Sequence, residues 1–114
     1  MDEEQSRIVV VGAGFALWSA GRCVTAARWG DVTRLRCYTR PVGGTRAICA
    51  ALALTDGSEV EFREEIPGWA RFLDAAAGVL PGMRDRLSAL STLAQDDARE
   101  VVLYDKPTLG ARRR

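Results

Sequence analysis

Up to residue 66 the chain alternates apolar and polar positions in short runs, and beyond it the period lengthens to that of a helix. Residues 7–11, with Val9-Val10-Val11, read as a first strand. Residues 15–19 read as a second and 22–29 as a third, separated by a tight turn at Ala20-Gly21. Successive side chains of a strand point to opposite faces. In a fourth strand over residues 32–40, Leu35, Cys37 and Thr39 therefore share one face, and Arg34, Arg36, Tyr38 and Arg40 the other. A fifth strand over 47–55 carries Ile48, Ala50, Leu52 and Leu54 on one face. Asp56-Gly57 is a hairpin signal, and a type I′ turn would place both residues at φ > 0. A sixth strand over 59–63 turns Val60 and Phe62 inward and Glu59, Glu61 and Arg63 to water.

Trp69, Phe72, Leu73, Ala76 and Leu80 then form a helical stripe, so the pattern predicts a helix over 67–80 that starts near Pro67-Gly68 and stops at Pro81-Gly82. Met83, Leu87, Leu90 and Leu93 predict a shorter second helix through about Gln95, broken by Asp96-Asp97. Residues 101–104 complete the list as a short strand. Strands first and helices afterwards is the order of an α+β domain, not of alternating α/β.

Gly12-Ala13-Gly14 tests that reading. An apolar run before Gly-x-Gly, with Asp31 about 20 residues later, matches part of a dinucleotide-binding fingerprint. The fingerprint needs a third small residue where Leu17 stands, followed here by Trp18. Hairpins rather than crossover helices follow. The favoured expectation is a hairpin turn, its glycines supplying φ > 0; a dinucleotide enzyme is the remote alternative.

At 114 residues, 47% hydrophobic and 27% charged, the composition is that of one folded domain, with residues 7–104 as its body and 1–6 and the basic 105–114 as flexible ends. Net charge is +1, so no general attraction to nucleic acid follows. Met1-Asp2-Glu3-Glu4 lacks the basic start of a secretory signal, and the run from Ile8 to Gly21 is too short to span a bilayer, so no integral membrane association is expected. The three cysteines, Cys23, Cys37 and Cys49, have no close pair and no visible activator, and read as inert buried thiols of a reducing cytoplasm. With no histidine, the chain lacks Ser-His and Cys-His nucleophile pairs.

Among the charged groups, Arg34, Arg36 and Arg40, with Tyr38 among them and Arg46 nearby, are the most suggestive, because guanidinium forks bind carboxylates and phosphates in pairs. The plainer reading pairs them with Glu59 and Glu61 on a neighbouring strand. Glu59, Glu61, Glu64 and Glu65 do not converge as a hard cation requires, and Glu64 and Glu65 suit the positive end of a helix. Trp29 and Trp69 fit core pillars, while Trp18 is the tryptophan to watch for exposure.

Short motifs add a resemblance. Arg28-Trp29-Gly30-Asp31-Val32, then Leu52-Ala53-Leu54-Thr55-Asp56-Gly57, then Glu64-Glu65-Ile66-Pro67-Gly68-Trp69 and Val79-Leu80-Pro81-Gly82-Met83 are similar to the pattern of small bacterial pleckstrin-homology-like (PH-like or GRAM-like) domains, over roughly residues 7–104. The chain departs from them in continuing past the capping helix and in having no counterpart of the basic inositol-phosphate loop. The resemblance implies an α+β fold of six or seven antiparallel strands in a partly closed barrel capped by a helix, to which this chain's own pattern adds a second short helix. It implies interaction modules, some of them immunity proteins that neutralise toxins. The resulting expectation is a cytoplasmic, non-enzymatic binding module without a cofactor or metal. Its protein partner would meet Arg34, Arg36, Tyr38 and Arg40 or an unpaired edge strand, and a homodimer through such an edge is compatible with the sequence. The alternative ligand is an anionic lipid headgroup or a small phosphorylated molecule.

Overall fold

In the computed structural model, residues 6–95 and 99–106 are described. The strands β1 (Ser6–Val11), β2 (Gly14–Ser19) and β3 (Arg22–Arg28) form a three-stranded antiparallel meander. A 3-10 turn over Trp29–Asp31 leads into β4 (Val32–Val42), β5 (Thr45–Leu54) and β6 (Glu59–Arg63). After the helices α1 (Trp69–Val79), α2 (Met83–Arg86) and α3 (Leu90–Ala94), β7 (Glu100–Asp105) returns beside β4. The second sheet therefore has the order β6-β5-β4-β7, antiparallel throughout. The architecture is α+β with two open antiparallel sheets, and the expected barrel closure is absent among the described residues: no strand of the first sheet pairs with one of the second.

β2 follows Gly14 where a dinucleotide site would need a helix. Gly12-Ala13 joins β1 to β2, with Val11 opposite Gly14, as a hairpin. The expected reason for the glycines is corrected, because neither Gly12 nor Gly14 has a positive φ. A Cβ on Gly14 would lie 2.0 Å from the Ala27 carbonyl oxygen, so this glycine admits the backbone of β3. Positive φ at two consecutive positions occurs instead at Ala20-Gly21 (54° and 78°) and Gly43-Gly44 (53° and 87°), the two-residue turns that match strand twist. The Asp56-Gly57 turn is likewise not type I′. Only Gly57 is at positive φ, its N–H donates to the Leu54 carbonyl, and Ser58 donates twice to Asp56. It is a three-residue loop with the glycine as the bulge.

The core lies where the inner faces of both sheets meet α1. Phe15 from β2 and Phe72 from α1 each lie with ring centroids 5.0–5.8 Å from one another and from Trp29 of the 3-10 turn and Phe62 of β6. Most of these contacts are tilted or edge-to-face, as aromatic quadrupoles favour. Trp69 is half-buried at the margin of this core. The start of α1 is fixed to β1: the Ile8 N–H donates to the Pro67 carbonyl at 2.8 Å, and Gly68, at φ 99°, passes against the Ile8 carbonyl.

The expected second helix is divided: α2 and α3 are joined by a 3-10 turn over Leu87–Ala89. Leu87, Leu90 and Leu93 recur every three residues, the period of the tighter helix. Asp96-Asp97 and the tail beyond Lys106 lie outside the described residues. No described helix is long and apolar enough to cross a membrane.

Candidate functional site

The strand parity read from the sequence places Arg34, Arg36, Tyr38 and Arg40 together on the outer face of β4, opposite buried Leu35 and Cys37. Their geometry depends on what lies between them and the glutamates. Glu59 and Glu61 are not on a neighbouring strand, because β5 intervenes. It presents Ala47, Cys49, Ala51 and Ala53 to this face, paired with Arg40, Tyr38, Arg36 and Arg34 respectively. These small side chains make a low floor across which long ones meet. Arg36 reaches Glu59 at 3.5 Å, Arg40 reaches Glu61 at 3.3 Å, and the Tyr38 hydroxyl donates to Glu61. Ala47, Cys49 and Ala51 are thereby buried on a nominally outward face, at 8%, 0% and 2% exposure.

On the other side β7 supplies acids that the sequence reading did not assign. Glu100 accepts from Arg36 at 3.0 Å and Asp105 from Arg34 at 3.4 Å. Arg36 thus ties β6 to β7 across the full width of the sheet, with its guanidinium 5.0 Å from the Tyr38 ring centroid. Burial pushes the Tyr38 phenol up to about 12, aided by its hydrogen bond to Glu61. Burial alone would lower the Arg36 pKa, but Glu100 and Glu59 outweigh it and hold the guanidinium above its ordinary value. The arginines of this face are matched by carboxylates, so it carries alternating charge rather than a positive surplus.

Arg46 does not join them. It pairs with Pro41 in β5 and has the opposite parity, and it donates to Thr39 Oγ1 at 2.7 Å on the inner side. There it lines two recesses. One, of about 460 Å³, also takes in Thr45, Glu64, Glu65 and Trp69; the other, of about 310 Å³, reaches the end of α3 at Ala94 and Gln95. Glu64 and Glu65 lie before α1 rather than in its first turn, which corrects their expected place at the helix dipole, and Glu65 instead pairs with Arg63 at 2.9 Å. Among the described residues no three or more Cys, Asp or Glu side chains converge as a metal site would require.

The cysteines differ sharply. Cys37 and Cys49 are wholly buried, and burial pushes the Cys37 thiol up to about 12 and raises that of Cys49; the expectation of burial is corrected at Cys23, which stands exposed near the start of β3 beside the turn. No protein-family model matches the chain, and neither does a curated protein or a solved structure.

Proposed function

We propose that the chain is a non-enzymatic, cytoplasmic binding module that acts by protein–protein recognition through the outer face of β4, centred on Arg36 and Tyr38. One observation supports this reading above others: Arg36 is held over the Tyr38 ring while carboxylates grip both side chains. Arg and Tyr dominate binding hot spots. Side chains already ordered before contact lose less entropy when a partner arrives. The finer fold reading, a PH-like domain, draws support from the seven strands in two sheets and from α1 packed at the core. Its narrower functional form is an immunity-type inhibitor of a toxin. The alternative of an anionic headgroup is disfavoured here, because each of Arg34, Arg36 and Arg40 already has a carboxylate partner.

The test takes proteins encoded beside this chain as candidate partners and measures their binding by calorimetry. Arg36→Glu and Tyr38→Ala are each expected to weaken a bound partner by more than about tenfold, the loss of a hot-spot residue. Full-strength binding by both variants overturns the assignment. Flotation with anionic vesicles, lost as salt rises, would transfer the reading to a lipid headgroup.

A further inference from the structure

The first sheet is apolar on both faces, and only one of them is covered. Ile8, Val10, Phe15, Leu17 and Ala27 pack into or against the core. The opposite face, set by the register of β1, β2 and β3, carries Val9, Val11, Ala16, Trp18 and Ala26, with Val24 at the bulge in the β2–β3 ladder. None of these six belongs to the core cluster. Val11 is 55% and Val24 60% exposed. An antiparallel sheet with one side in water ordinarily turns polar residues outward on that side. A three-stranded sheet that keeps its outward positions between Arg7 and Arg28 apolar, tryptophan included, has the composition of a buried face without its cover.

The charges around this face indicate what covers it. Arg7, opposite Trp18, and Arg28, opposite Gly14, are exposed at the two ends of this face, and no Asp or Glu occurs from Ser6 to Gly30. This contrasts with the outer face of the second sheet, where every arginine of β4 is matched by a carboxylate. A second copy of this face would bring its arginines against the same arginines, with no acid among the described residues of the sheet to meet them. A bilayer is served by apolar side chains that project past the polar ones, whereas the turns at the ends of this face, Gly12-Ala13 and Ala20-Gly21, carry no large apolar group.

We infer that the outer face of β1–β2–β3 docks a protein surface that is apolar at its centre and carboxylate-lined at its edge, with Trp18 and Val24 in the apolar contact and Arg7 and Arg28 pairing with the acids. This rests on the protein-recognition reading above but uses a different face. The partner's carboxylates meet arginines that have no competing acid on their own sheet, so charge adds to both attraction and register.

The experiment uses the whole chain and two synthetic helical peptides, one with a leucine stripe flanked by glutamates and one with the same stripe flanked by lysines. Binding is followed by peptide anisotropy and by tryptophan emission. The Leu/Glu peptide is expected to bind at least tenfold more tightly than the Leu/Lys peptide at low salt, with an emission shift that disappears in Trp18→Phe. The double variant Arg7→Glu/Arg28→Glu is expected to reverse the preference, an outcome that an unfolded variant cannot produce. Arg36→Glu is expected to leave the preference intact, so failure here and failure of the β4 surface are separable. Equal binding of the two peptides, absence of binding, or a preference unchanged by charge reversal overturns the proposal. So does binding to phosphatidylserine vesicles in place of the peptide, or a dimer in sedimentation that Val24→Glu dissolves.

Discussion

Gly14 and Ala27 approach so closely that a single methyl group on Gly14 would stand 2.0 Å from the Ala27 carbonyl oxygen and 2.8 Å from the Arg28 Cα. Neither obstacle is a flexible side chain, so a substitution there must displace β3 from β2. Gly12, two residues earlier, has open space around its would-be Cβ and no positive φ. Gly14→Ala is expected to cost at least about 1–3 kcal/mol in urea unfolding, as overpacking does. Gly12→Ala is expected to be neutral within about 0.5 kcal/mol, as for an ordinary surface change. Equal effects at the two positions would remove the close-approach account.

The contrast between these glycines also marks how far the amino-acid pattern carries. Alternation alone places Val60 and Phe62 inside and Glu59 and Glu61 outside, and β6 has the expected bounds, because a period of two is a local property. Gly12-x-Gly14 resembles a cofactor turn since the pattern shows glycine but not the backbone that needs it. The hairpin signal places β5 beside β6, but not the reach across it: Ala47, Ala51 and Ala53 read as neutral filler until long side chains are seen crossing them. Glu100 and Asp105 reach Arg36 and Arg34 from 64 and 71 residues away, a separation over which periodicity carries no signal.

Ala20 is the one described non-glycine residue at positive φ, 54°, in the two-residue turn between β2 and β3. A left-handed conformation costs an alanine roughly 1–2 kcal/mol, while asparagine followed by glycine suits this turn type. Ala20→Asn is expected to raise stability by about 0.5–1 kcal/mol and Ala20→Val to lower it by a similar amount or more, since a β-branched side chain tolerates positive φ worst. Thermal and urea unfolding of the two variants provide the check. A stabilising valine would contradict the turn geometry.

Burial separates the thiols more sharply than their chemistry does. Cys37 and Cys49 have no exposed surface, and burial raises the pKa of both, so at pH 8 they are neutral as well as shielded. Cys23 is exposed. Ellman's reagent at pH 8 is expected to react quickly with one thiol per native chain, and with all three only after denaturation. Cys23→Ser is expected to abolish the fast phase. Two fast thiols in the native protein would mean that the Arg36/Tyr38/Glu61 cover over Cys49 opens readily.

Tyr38 makes the outer face of β4 sensitive to high pH in a defined direction. In the folded chain its phenol is pushed up to about 12, first by burial and then by the hydrogen bond it donates to Glu61. In the unfolded chain it titrates near 10. Between these values the unfolded chain releases the proton and the folded chain keeps it, so unfolding becomes more favourable as pH rises. The contribution is fully present below pH 10 and is lost as pH climbs toward 12. Burial also raises Tyr104, with the charge of Asp105 adding to it, so both tyrosines of this chain oppose ionisation while folded. Absorbance of tyrosinate at alkaline pH is therefore expected to lag behind that of the urea-unfolded chain. Tyr38→Phe is expected to flatten the loss of stability above pH 10, leaving the smaller share due to Tyr104. A variant whose alkaline stability curve coincides with that of the parent would mean that the Tyr38–Glu61 hydrogen bond does not hold the proton, and with it would go the picture of a pre-ordered Arg36–Tyr38 platform.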